Sequence, residues 1–165
     1  SNAARSRCGP VDPNPEIEED ILSRRLLALG QVAAPDLVAA EAAALLQRFP
    51  KNLAAINVTA VALLRENRLD EADQASRILR ENPDGLLLEA VYLDTLARID
   101  VALGRLDDAY ANYSEVLRLD PSLSKTYARK LSELGFLPLS SAPEGVLIAL
   151  RRCLDVKKAT CRMAM

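Results

Sequence analysis

The chain has 165 residues, half of them hydrophobic but only 4% aromatic, with no tryptophan and a net charge of −2. That length suits one domain burying roughly 70% of its unfolded surface, and an apolar fraction of Ala, Leu, Val and Ile set among Glu, Arg and Asp favours an all-α protein. Histidine is absent, which removes the commonest general base, the commonest metal ligand and every Ser-His or Cys-His nucleophile pair; no basic stripe with interleaved aromatics marks a nucleic-acid surface.

In chain order, Ser1-Asn2-Ala3 reads as a scar of tag removal. Residues 1–14, with Gly9, Pro10 and Pro13, form an expected flexible tail. Pro15 then suits a first helical position, with Glu16, Glu18, Glu19 and Asp20 at the positive end of the helix dipole. Ile17, Ile21, Leu22, Leu26 and Leu29 keep helical period up to an expected stop near Gly30. A second helix is predicted to start after Pro35, with Asp36 as cap or first-turn acid, and to run to about Arg48; a third runs from near Asn52 to near Asn67, and a fourth follows Leu69 and ends before Pro83. A fifth spans Gly85 to Leu103, a sixth Leu106 to Leu119, a seventh Ser122 or Ser124 to Gly135, and an eighth Pro143 to Val156. The longest apolar run, Leu53 to Leu64, is interrupted by Asn57 and falls short of the about 20 residues a membrane span needs.

Prolines at 50, 83 and 121 close successive units, and Asn67-Arg-Leu-Asp-Glu-Ala72 returns as Gly104-Arg-Leu-Asp-Asp-Ala109. Such a period marks a repeat architecture. With Ser76, Leu79 and Pro83 in one copy and Tyr113, Val116 and Pro121 in the other, both stretches resemble the second half of a tetratricopeptide repeat; a degenerate third copy is read on Ala39, Ala43, Leu46 and Pro50. The physical tasks follow. Asn67 and Gly104 take left-handed turns, Ala72 and Ala109 let helices cross closely, and Leu79, Tyr113 and Leu117 fill the layer between pairs. First helices here lack the family's usual aromatic and glycine, and the step from Asn67 to Gly104 exceeds the family's period, so an irregular stack is expected.

The resemblance implies a right-handed superhelix of antiparallel helix pairs over 15–136, closed by a capping helix at 122–135 in which Tyr127, Leu131 and Leu134 face inward. It also implies a concave groove lined by first helices that receives a peptide, with Arg24, Asn57, Val61, Asp94 and Arg98 as the groove residues. An Asn there can bond a peptide backbone, and an Arg can hold a carboxylate; the bland alternative is a solvated set in which Asp94 and Arg98 merely form an i,i+4 pair. No matching lysine set accompanies Arg24, Asn57 and Asp94, which argues against a chaperone-tail clamp.

Residues 137–165 form a helical extension that either packs on the end of the scaffold or docks a partner. Cys153 and Cys161 lie eight apart; in continuous helix that is about 12 Å, beyond disulfide reach. They can bridge only where the helix ends between them, and otherwise remain thiols. Cys8, preceded by Arg5 and Arg7, does not read as a lipidation site. The expected function is a non-enzymatic adaptor, with no cofactor and no metal, that binds another protein in a bacterial envelope or secretion assembly. The alternative is self-assembly as a homo-oligomer through exposed helix faces or the C-terminal segment. Acids such as Glu41, Asp70 and Asp107 sit at helix starts or solvent faces, where no catalytic role is needed to explain them. A periplasmic or exported location is expected over a cytoplasmic one.

Overall fold

The computed structural model describes residues 14–81 and 89–163. The tail before Asn14, the start of the fifth helix and Pro83 lie outside the described residues. Within them the chain is about 80% helix and has no strand, so every layer is helix on helix. Nine α-helices follow in order: α1 Pro15–Val32, α2 Pro35–Arg48, α3 Leu53–Arg65, α4 Leu69–Ala75, α5 Arg77–Arg80, α6 Ala90–Ala102, α7 Leu106–Leu119, α8 Ser124–Glu133 and α9 Pro143–Lys157. No described helix is long and apolar enough to cross a membrane.

Local chemistry sets most of these limits. Asn14 caps α1 by accepting from Glu16 N at 3.1 Å, and Asn52 caps α3 by accepting from Ala55 N at 3.0 Å. α1 runs past Gly30, the expected stop, because nothing there requires a turn. It ends at Val32, where Ala33 and then Ala34 turn extended, the second held so by the following Pro35.

Three later helices end in one way. Asn67, Gly104 and Gly135 have φ of 58°, 78° and 89°. After each, the next amide reaches back five residues: Arg68 N to Leu63 O at 2.9 Å, Arg105 N to Asp100 O at 2.8 Å, and Phe136 N to Leu131 O at 2.8 Å. These are Schellman closures, which satisfy carbonyls a helix end would otherwise orphan.

Two expectations need correction. The fourth helix is interrupted at Ser76, whose hydroxyl donates to Asp73 O at 2.9 Å, although the ladder resumes with Arg80 N bonded to Ser76 O at 3.2 Å. In α2, Ala39, Ala43 and Leu46 are the expected inward residues, but Val38, Ala42 and Leu45 are buried instead and Ala43 is exposed. Counted back from its proline, the set Val38, Ala42, Leu45, Pro50 has the spacing of Ala109, Tyr113, Val116, Pro121. The buried set of α2 therefore sits one residue earlier than its alanines suggest.

Neighbours in sequence pack together: α1 on α2, α2 on α3, α3 on α4, and most extensively α6 on α7. Ala72 and Ala109 are fully buried at crossings, and Leu79, Tyr113 and Leu117 share the main core with Leu93, Tyr127 and Leu131. α9 packs on both α7 and α8 and adds Val146, Leu150, Cys153 and Leu154 to that core. The helix does end between the two cysteines. Lys158, at φ 49°, reverses the chain through a 3-10 turn, and Cys161 bonds to Cys153 across 5.7 Å between Cα atoms. Met163 follows into the core and donates its amide to Tyr113 Oη at 3.3 Å.

Candidate functional site

The first and third helices are fastened by one side chain. Asn52, already the cap of α3, donates from Nδ2 to Glu19 Oε1 at 2.9 Å and to Ser23 Oγ at 2.6 Å on α1. With that face of α1 pinned, its next inward residues meet α3 across a cleft of about 380 Å³. Leu27 and Gln31 of α1, Asn57, Val58 and Val61 of α3, and Val91 of α6 line it, with Arg65 and Glu66 at its rim. Most of this wall is aliphatic. Asn57 is the buried one among its polar residues: it is 5% exposed, and its Oδ1 has no hydrogen-bond partner. Around the first turns of α1, α3 and α6 the wall turns polar, with Glu16, Glu19, Asp20 and Glu89 beside Arg24 and Lys51, and Leu27 belongs to both regions.

The five expected groove residues do not converge. Asn57 and Val61 line the cleft. Arg24 does not: it stands in the polar region, largely exposed, paired with Asp20 at 3.0 Å. The cause is the register error already seen in α2, since moving the first copy by one residue puts Ser23 and Leu27, not Arg24, at the places that Asn57 and Val61 hold in the second. Counted back from Pro50 as Asn57 stands from Pro83, the place falls on Arg24; counted as Asp94 stands from Pro121, it falls on Ser23.

Asp94 and Arg98 are corrected more strongly. They are 3% and 8% exposed, and neither is among the residues that line the cleft. Arg98 Nε lies 3.0 Å from Asp94 Oδ2 but is not directed into a hydrogen bond, so charge holds this pair. The Tyr127 hydroxyl donates to Asp94 Oδ1, and the Tyr127 ring meets Tyr113 edge to face at 5.4 Å between centroids. Burial raises the Asp94 carboxyl above its usual range against the opposing pull of Arg98 and Tyr127. Burial likewise raises both tyrosines, with the Asp94 charge adding to it.

A second polar cluster has no counterpart in the sequence reading. Asp100, fully buried on α6, receives Arg80 in a two-point contact at 2.8 and 3.2 Å and Asn112 Nδ2 at 3.0 Å. Arg105 bonds Asp73 at 2.6 Å beside it. These bonds tie α4 and α5 to α6 and α7, although Arg80 Nε is buried without a hydrogen-bond partner. Among the described residues no group of three His, Cys, Asp or Glu side chains converges as a metal site. Comparison with family models, with curated proteins and with solved structures finds no match for this chain.

Proposed function

We propose that the helix pairs form a tetratricopeptide-like stack, and that the α1–α3 cleft is its groove for a segment of another polypeptide. The observation that carries this reading is Asn57, a nearly buried amide with an unpartnered oxygen in an aliphatic wall. An unmatched polar atom of that kind costs about 1–3 kcal/mol, a cost offset when a ligand supplies the missing partner. A peptide group offers both a donor and an acceptor, and its flanking side chains would bury against Val58, Val61 and Val91. The cleft's size falls within the range of about 300–1,000 Å³ typical of ligand sites. The Cys153–Cys161 bridge supports an oxidising location.

Selection of random 12-residue peptides by display on the oxidised chain tests the reading. Enriched peptides are expected to lose at least about tenfold in affinity, near 1.4 kcal/mol, on Val61→Glu. Peptides that bind Val61→Glu and Asn57→Leu as well as wild type would sink it.

A further inference from the structure

A stack of helix pairs needs its two ends covered, and here the ends differ. At one, α9 and the bridged turn close over α7 and α8. At the other, the α1–α2 pair turns one side to α3 and leaves the opposite side bare. Ile17 and Ile21 are each 59% exposed and Leu37 is 51% exposed. Between the two helices on that side runs a crevice of about 150 Å³ whose floor is Leu22, Leu29 and Ala44 and whose lining also includes Arg25, Glu41 and Arg48. A space of about 150 Å³ with apolar walls accepts a group the size of benzene, so one branched aliphatic side chain fits.

We propose that a second copy of this chain covers this face, in a two-fold dimer that seats Ile21 of each copy against the crevice of the other. Three observations select that occupant. First, a two-fold interface sets a patch against itself, so its charges must balance. Arg48 pairs with Glu18 at 2.6 Å and Arg25 lies 3.8 Å from Glu41, which gives two cations and two anions around the apolar centre. The exposed side of α9, around Ile148 and Val156, meets that condition less well: Arg151, Arg152, Lys157 and Lys158 outnumber Glu144, Asp155 and the Asp107 that Arg151 pairs with at 2.9 Å. Second, residues 1–13 contain Val11 as their single large aliphatic side chain, too little apolar surface to match the face. Third, the area suffices. α1 is about 27 Å long, and two adjacent helices present about 500 Å² per copy, or about 1,000 Å² in total, the lower limit for a specific interface. The dimer is therefore weak, with a dissociation constant on the order of micromolar.

Sedimentation velocity on the oxidised chain, from about 1 µM to about 500 µM, reads this equilibrium. Wild type is expected to pass from monomer to dimer mass over that range. Ile21→Glu and Leu37→Glu should raise the midpoint at least about tenfold, with helical circular dichroism unchanged because both sites are exposed. Ile148→Glu should leave it where it was. A wild type that stays monomeric throughout, or a dimer that survives Ile21→Glu and Leu37→Glu, overturns the proposal. So does a dimer abolished by Ile148→Glu. Peptide binding at Val61 is measured separately, so either result stands without the other.

Discussion

Asn57 and Asp94 hold the same place in two successive hairpins, each ten residues before its left-handed turn, at Asn67 and Gly104; Val61 and Arg98 match in the same way, six before it. Their surroundings differ completely. On α3 the pair opens on a cleft. On α6 it is sealed beneath Tyr127 with its charges matched to each other. Position within a hairpin therefore does not decide between site and core. What covers the position decides, and here the capping helix α8 does so for α6 while α3 keeps its face open.

The sharpest way to break the comparison is to remove matching charges. Arg98→Ala should cost about 3–5 kcal/mol, because it strands the buried Asp94 carboxylate; Val61→Ala, at the equivalent but half-buried place, should cost about 1 kcal/mol. Denaturant midpoints compare the two, and equal losses would erase the distinction. Next in size, Tyr127→Phe withdraws a hydrogen bond from a charged acceptor and should cost about 1.5–3 kcal/mol.

The bridged turn gives an effect of similar size. Opening a loop of eight residues should cost about 2.5 kcal/mol in the chain-entropy account. Wild type under reductant and Cys153→Ser with Cys161→Ser should then melt alike, and reductant should not shift the double variant.

Asn57→Leu is expected to act in the opposite direction. By removing an unmatched amide it should leave stability unchanged or raise it by about 1 kcal/mol, while guest binding falls. A clear loss of stability would show that Asn57 has a partner in the folded chain.

The smallest effect is on pH. The folded pKa of Asp94 is raised, so the folded state holds its proton more tightly than the unfolded state. Its contribution to stability is complete below the ordinary carboxylate value and is lost as pH rises through the folded pKa. The difference in stability between wild type and Asp94→Asn should therefore vary with pH in that window and level off above it, as urea titrations at stepped pH would show.

Much of the helical frame was legible because the signals that end helices are local. α7 begins and ends at its predicted residues and α2 starts one residue early, at Pro35; Asn67 and Gly104 turn left-handed as expected, and Gly135 does so at an expected helix end. The interruption at Ser76 was harder to read, since a serine in mid-helix usually points outward and here is buried. The Asp100 cluster draws on Arg80, Arg105 and Asn112, which no local pattern links. The site was half legible. Asn57 and Val61 follow from the turn at Asn67, but Arg24 depended on aligning a copy with few landmarks. The fate of Asp94 and Arg98 was set by Tyr127, about thirty residues further on.

The amide of Met163 carries a consequence of its own. Amides outside regular helices usually trade their hydrogens with water quickly, because local opening exposes them. This one is buried, points at the hydroxyl of Tyr113 and lies two residues beyond a cysteine cross-link. Deuterium should therefore enter there about as slowly as it enters the middle of α7. The last turn thus behaves as interior rather than fringe, and a label placed beyond it would report on the whole cooperative unit.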